Sequence, residues 1–487
     1  MKTEKLILNY QRRGIKLSVS DNKLHFSAPQ NILTDEDKDI LKKNKKEIIK
    51  FLLDHTESEI IVDEEDKYEK FPLTDIQLSY LVGQDNVYKF GGTNCKIYTE
   101  IEYEQIELNK AQYAWEQVIK YNDMLHAVIN QEGTQEILSS YTVPQIVFSD
   151  LSDMENAEVI IAQKRESLTK KQYRVGTWPL FDVEITKLKN KYILHISLDM
   201  LVADFVSINV ILNEFEEVYY NGKLSFKQQL SFRDIVLYKE SLKKTVNGKK
   251  KYEEDKKYWE KRIPRLSEVP EFPVVEQQEK EVLFTQYKFF LESDEYEKLC
   301  DLAKNFQLTP SSLILTAYAE ALRKISKNQS FCIDVTMVDR PPFHPSIDRV
   351  IGDFTTANIL EVEDLDYTNY FEKAKKIQHR LWEDLSHNSF SSKEVLREMG
   401  KRIKKEITVP AVYTSTLGAV KYSNQRKGKI LYTISQTPQV LIDCQVLELE
   451  KGVRLNWDVR LGVFPKGLIE EAFESFRELI YRIIDNN

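Results

Sequence analysis

Cysteine is scarce in this sequence: four residues in 487, at Cys95, Cys300, Cys332 and Cys444, none in a CxxC pair or at metal-ligand spacing from a histidine. This argues against a zinc site and against a disulfide framework, and no metal is expected. Long apolar runs are also missing, since none approaches the ~18 residues that would span a bilayer. The N-terminal MKTEKLILNYQRR has only a short apolar core and no small-residue cleavage site. Neither membrane insertion nor export is expected, and a cytoplasmic location is. Nor is there a block of one charge sign. The net charge of -8 arises from 69 basic and 77 acidic residues that are intermingled, so no nucleic-acid partner is expected. With 42% hydrophobic and 30% charged residues, the chain can bury two substantial cores and stay in solution. No short internal repeat is detectable.

The sequence divides where TESEIIVDEEDKY, residues 56 to 68, is acidic and poor in packing residues. This sets expected boundaries of 1–57 for a small first domain, 58–69 for a linker and 70–487 for the remainder. In the small domain a short helix is predicted over Leu6 to Arg13, and a hairpin from Ile15 to Val19 and Lys23 to Ser27 around Ser20 to Asn22. Thr34 is placed to cap one helix running through Leu53. That helix would bury Leu41, Ile48, Ile49, Leu52 and Leu53 and leave Lys42, Lys43, Lys45, Lys46 and Lys50 on its other face.

The large region has an α/β pattern of two lobes, about 70–268 and about 269–487. A helix is predicted within Phe71 to Gly83, an amphipathic one over Asn109 to Tyr121 and a charged helical stretch from Ser231 to Ile263. EFPVVEQ near Pro273 reads as an extended crossing into the second lobe, where Thr309, Pro310 and Ser311 open another helix.

Within this frame, LDMLVADFVSIN (Leu198 to Asn209) stands out. Leu194, Ile196 and Leu198 alternate with His195, Ser197 and Asp199, the period of a strand with one face in a core and the other toward a cleft. A carboxylate at the end of such a strand is costly unless it is paired or used. Asp204 then opens an apolar stretch with helical spacing. Two other runs, PAVYTSTLG (Pro410 to Gly418) and ISQTPQVLIDCQ (Ile434 to Gln445), are β-rich and carry hydroxyls, amides and a carboxylate between apolar residues. Each such group must find a partner if buried.

Taken in order, FPLTDIQLSYLVGQ, LDMLVAD, SFRDIV, IGDFTTANILEVE, PAVYTSTLG, ISQTPQVLIDCQ and NWDVRLGVFP resemble the heterocyclization domains of nonribosomal peptide synthetases, from Phe71 to the C-terminus. The resemblance implies two chloramphenicol-acetyltransferase-like lobes in a V-shaped pair around a tunnel. Ordinary condensation domains carry HHxxxDG. Aligning its aspartate on Asp204 puts Asp199 and Met200 at the two histidines, and a thioether cannot move a proton. The heterocyclization pattern DxxxxDxxS is met instead by Asp199, Asp204 and Ser207. HISLD, His195 to Asp199, also fits the HxxxD of related acyltransferases, but Met200 follows where they have glycine, and the alternation puts His195 inside a strand.

What the resemblance implies about the site is specific. The family's catalytic aspartate falls on Asp443, as general acid/base, and its FTS motif on Tyr413, Thr414 and Ser415, with Thr414 orienting the aspartate or the substrate's amide oxygen. Gln445 shares the strand face of Asp443. On chemistry alone Asp199 and Asp204 could be an acid/base pair. The family suggests structural work, with Asp204 paired to Arg340 of VDRPPFHP and Asp199 a positioning group at the tunnel. The family's aromatic and arginine positions are Leu81 and Gln84 here, and Asn122 to His126 replace its His-Pro-Met-Leu-Arg run.

The order helix, RRGIKLSVSDNKLHFSAP, capped helix resembles TubC-like, or β-hairpin, docking domains. These take a short acidic tail of an upstream subunit as an added strand, with Arg12, Arg13, Lys16, Lys23 and His25 as the candidates for orienting it. The expected activity joins a carrier-bound acyl or peptidyl thioester to carrier-bound cysteine, serine or threonine and closes a thiazoline or oxazoline. An amide-forming condensation enzyme without ring closure, or a silent scaffold, are the alternatives. No directly bound cofactor is expected, since substrates arrive on phosphopantetheine arms. The expected partners are an upstream carrier protein, reached through the docking domain, and downstream carrier and adenylation domains. Those regions are missing from the sequence, which suggests either a stand-alone subunit or the front piece of a longer synthetase.

Overall fold

The computed structural model of the chain describes residues 6, 10, 15–20, 23–28, 33–54, 60, 62, 65–226, 228–275, 282–340, 344, 346–364, 369–418, 426–449 and 451–485. In the N-terminal domain Lys16–Ser20 and Lys23–Ser27 form the antiparallel hairpin, with Ser20 opposite Lys23 at the turn. Of the predicted first helix, Leu6 and Tyr10 are helical and the remainder lies outside the described residues. Thr34 caps a helix as expected, in a reciprocal box with Asp37. That helix stops at Lys43, however, and a second runs from Lys45 to Asp54. Asn44 ends the first by donating its backbone and side-chain amides to the Ile40 carbonyl, the local competition for backbone acceptors that makes asparagine a poor helix interior residue. Tyr10, Ile15, Leu17, Leu41 and Ile48 form the core.

The first lobe is built on a five-stranded sheet, ordered Lys429–Gln436, Lys96–Tyr103, Tyr192–Asp199, Phe181–Lys187, Val147–Asp150. Its first strand comes from far along the chain, from the part of the sequence expected to build the other lobe. Helices Leu108–Tyr121 and Phe205–Asn221 pack on each other in the same core, where Trp115 meets Phe181 edge to face at 5.2 Å. The predicted helix within Phe71 to Gly83 begins only at Asp75, capped by Thr74, because Phe71–Pro72 first pairs with Thr134–Gln135. The stretch from Ser231 likewise breaks into Phe232–Lys244 and Val246–Arg262. Thr245 sits between them and caps the second, accepting the Gly248 amide at 3.0 Å.

The second lobe is a six-stranded sheet in the order Phe284–Glu292, Gly452–Arg460, Ile442–Leu449, Ala411–Ser415, Phe331–Val338, Thr355–Val362. Ala411–Ser415 runs parallel to both its neighbours and every other pair is antiparallel. Strand alternation splits its residues between two faces. One face puts Ile333, Val335, Tyr413, Cys444, Val446, Leu455 and Trp457 against helices Pro310–Ile325 and Leu468–Asp485. There Trp457 packs on Tyr318 and Phe473 at 5.3 and 5.4 Å. The opposite face is polar. No described helix is long and apolar enough to cross a membrane.

Candidate active site

The polar face of the six-stranded sheet is ordered in rows. Asp334 is in register with Val412, Val412 with Asp443, Asp443 with Asp458, and Asp458 with Gln286. Two residues along, Thr336, Thr414, Gln445, Asn456 and Lys288 form the next row. Residues in register across a sheet share a face, so a row of carboxylates lies beside a row of hydroxyls and amides. This surface walls a cavity of about 1580 Å³ whose other wall is first-lobe residues, among them Tyr80, Cys95, Ile97, Met200 and Phe205.

Asp443 lines the cavity from that wall, held by three side chains. Thr414 Oγ1 donates to its Oδ1 at 3.1 Å and Gln445 Nε2 to its Oδ2 at 2.8 Å, while Ser435 Oγ, 3.3 Å from Oδ2, shares its one hydrogen between Asp443 and Asp458 Oδ2 at 3.0 Å. Thr336 donates in turn to Thr414 at 2.8 Å, which fixes the threonine rotor. Burial, seconded by the charge of Asp458, raises the Asp443 carboxyl to about 7, against the lowering effect of its three donors. Asp458 lies behind it, accepting from Gln286 Nε2 at 2.8 Å, Asn456 Nδ2 at 3.0 Å and the Ser435 amide at 2.7 Å. Ser415, at the end of the same strand as Thr414, lines the cavity as well.

Asp204 is the N-cap of Phe205–Asn221, accepting the Ser207 amide at 2.6 Å. Arg340 Nη2 lies 2.9 and 3.1 Å from its two oxygens, and Arg340 Nη1 donates to the Ile347 and Val350 carbonyls at 2.9 and 2.7 Å. Ser207 Oγ lies 2.7 Å from Asp204 Oδ1 and accepts the Gly352 amide at 3.1 Å. The third residue of the Asp-Asp-Ser pattern is thereby accounted for, because it closes a knot that ties the two lobes together.

Asp199 accepts from Asn94 Nδ2 and from the Leu201 amide, both at 2.9 Å. It is fully buried, which raises its carboxyl to about 7 although Lys96 stands opposite on the next strand. The strand face expected to look into a cleft is covered instead. Leu168 and Tyr173 lie over it, the Tyr173 hydroxyl donating to the Ser197 carbonyl at 3.1 Å. Neither Asp199 nor Asp204 lines the cavity; Met200 and Phe205 do.

His195 is sealed in the same layer. Tyr98 donates its hydroxyl to Glu100 at 2.8 Å, so it accepts from His195 Nδ1 at 2.7 Å, leaving Nε2 to accept the Thr186 hydroxyl at 3.0 Å. Burial lowers its pKa to about 3 and keeps it neutral. Among the described residues no histidine lines the cavity, and no group of three His, Cys, Asp or Glu side chains is arranged to hold a metal.

On the docking hairpin Lys23 and His25 are exposed. Lys16 opens the first strand, its side chain outside the described residues, as are Arg12 and Arg13. Four residues of the site were not singled out from sequence: Asp334, Ser435, Asn456 and Asp458. All four sit on strands, in FCIDVTMV, KILYTISQ and GVRLNWDVR, polar positions among apolar ones like that of Thr414.

The Condensation domain family matches residues 67–487 and the TubC N-terminal docking domain matches residues 4–54. The chain is 27% identical to pyochelin synthetase PchF of Pseudomonas aeruginosa over 99% of its own length and 27% of that protein. It is 30% identical to bacitracin synthase 1 of Bacillus licheniformis over 87% of its length and 8% of that protein. With phenyloxazoline synthase MbtB of Mycobacterium sp. (strain MCS) it shares 28% identity over 83% of its length and 34% of that protein. The chain therefore spans about a third or less of these curated relatives. Among solved structures it matches the EpoB cyclization-docking bidomain from Sorangium cellulosum with a TM-score of 0.84 at 27% identity, covering 100% of this chain and 99% of that one.

Proposed function

The chain belongs to the condensation-domain family, and on that footing we propose that it is a heterocyclization enzyme of nonribosomal peptide synthesis preceded by a docking domain. Its substrates are an acyl or peptidyl thioester on an upstream carrier and a cysteine, serine or threonine on a downstream carrier, both presented on phosphopantetheine arms. The amine attacks the thioester carbonyl, the C–S bond breaks and an amide forms. The side-chain thiol or hydroxyl then adds to that amide carbonyl, its proton leaving to a base, and gives a hydroxylated five-membered ring. The ring oxygen substituent accepts a proton and departs as water while nitrogen loses its own, leaving a thiazoline or oxazoline.

Asp443 is the observation that carries this reading: a carboxyl on the cavity wall, held by Thr414, Gln445 and Ser435, raised to about 7. A group with that proton affinity can take the nucleophile's proton and return one to the departing oxygen, a contribution of ~10² to 10⁴-fold. Met200 in place of an imidazole, with His195 buried and neutral, supports carboxylate rather than histidine chemistry. We assign Thr414 and Gln445 to holding Asp443, and Asp204 with Arg340 to holding the lobes. The docking hairpin would take an acidic tail of the upstream subunit as a third strand, and the adenylation domain that loads the acceptor would work downstream.

The test loads a donor acyl group on one carrier and cysteine on another and weighs the product. A mass one water below the linear peptide is expected. Linear peptide alone would mean condensation without cyclization, and no transfer would mean a scaffold.

A further inference from the structure

The cavity wall carries a second carboxyl that the chemistry so far does not use. Asp334 lines the cavity in the same row as Asp443, with Val412 between them. Two strand spacings put their backbones about 10 Å apart. The two carboxyls differ in what holds them: Asp443 is held by three side chains, whereas among the described residues no side chain donates to Asp334, which has only the Asn358 and Val335 backbone amides beside it. A carboxyl that lines a substrate cavity and is held by no side chain can take a cation or an N–H group from the substrate.

The acceptor brings such a group. A carrier-bound cysteine, serine or threonine has two nucleophiles two carbons apart, an α-amine that arrives as ammonium and a side-chain thiol or hydroxyl. Each must lose a proton, at separate stages. We propose, resting on the heterocyclization reading, that Asp334 binds the acceptor's α-ammonium and takes its proton, while Asp443 serves the side-chain nucleophile. The acceptor then lies across Val412 with one carboxyl at each end.

The step balances. The ammonium gives one proton to the Asp334 carboxylate, and the neutral amine attacks the thioester carbonyl. The tetrahedral intermediate loses its C–S bond, its remaining excess N–H proton passes to the departing thiolate, and Asp334 releases its proton to solvent. Burial raises the Asp334 carboxyl to about 7, with the charge of Asp443 adding to the rise. That brings its proton affinity close to the ~7.7 to 8.0 of an α-amine.

The experiment measures total acyl transfer, linear and cyclized product together, for Asp334→Asn and Asp334→Glu in the full chain between pH 6.5 and 9. Relative to wild type at each pH, the Asn variant is expected to lose about 10- to 100-fold at pH 6.5. The deficit should shrink to within about threefold by pH 9, where the amine is mostly free without a base. Asp334→Glu, which keeps a carboxylate, should follow the wild-type pH profile. Unchanged transfer by the Asn variant at pH 6.5, a loss equal at every pH, or a Glu variant with the Asn profile would each overturn the assignment. Since both products are counted, a wild type that makes only linear peptide sinks the cyclization reading without touching this one.

Discussion

Arg340 and Asp204 form a buried ion pair between segments 136 residues apart, with one guanidinium nitrogen 2.9 and 3.1 Å from the two carboxylate oxygens. Arg340 also stacks on Phe354 at 4.2 Å. The hydrogen-bond partners of the Asp204 carboxylate, Ser207, Arg340 and the Phe354 amide, are all groups of the protein itself.

Removing one partner strands the other. Asp204→Ala is expected to lower stability by about 3 to 5 kcal/mol, as is Arg340→Met, while the double variant loses less than the sum of the two. Urea denaturation of the four proteins gives the coupling. An Asp204→Ala protein with wild-type stability that fails only at ring closure would move Asp204 into the chemistry.

Asp443→Asn should separate the two reactions. Linear peptide should persist while cyclodehydration falls ~10²-fold or more. Thr414→Val, which removes one hydrogen bond to the carboxylate worth about 1.5 to 3 kcal/mol, should cost roughly 10- to 100-fold in the same step. Loss of linear peptide in Asp443→Asn at unchanged stability would contradict the division.

The same carboxyl shapes stability against pH. It is raised to about 7 in the folded chain, whereas an unfolded aspartate sits near ~3.9. Between these values the folded state holds a proton that the unfolded state has released, so the group's contribution falls as pH rises and levels off above about 7. Asp443→Asn has nothing to release. Its stability relative to wild type should improve from pH 4 to 7 and then stay flat, measured by denaturation at pH 5 and pH 8. A relative decline with rising pH would rule this out.

Docking should depend on the exposed charges of the hairpin. Lys23→Glu is predicted to weaken binding of an acidic tail peptide several-fold, mainly through slower association, and high salt should erase the difference. Calorimetry with the peptide at two ionic strengths checks both.

Sequence periodicity carried a good part of this structure. The strand Tyr192–Asp199, the Asp204 cap and the positions of Thr414, Asp443 and Gln445 on strands all follow from local alternation and capping. What local pattern cannot hold is register between strands distant in sequence. Asp334 and Asp458 are 124 positions apart, yet they share a row because Ala411–Ser415 and Ile442–Leu449 lie between them. Asp199 misled for a related reason, since the polar side of its strand is covered by residues around Leu168 and Tyr173 that no alternation within the strand announces. The helix breaks at Asn44 and Thr245 were written in side chains that compete for backbone groups, a weaker signal than the charged helical pattern around them.

The strand Lys429–Gln436 hydrogen-bonds into the first lobe's sheet, yet its Ser435 holds the Asp443 carboxyl of the second. Gly428 admits it, since a side chain there would meet Tyr103 and Ile101 within 2.6 Å. The acidity of Asp443 is therefore a property of two sheets at once. Any displacement of one sheet against the other would lengthen or shorten the Ser435 contact, so the site's readiness to release a proton becomes a gauge of how the halves are seated.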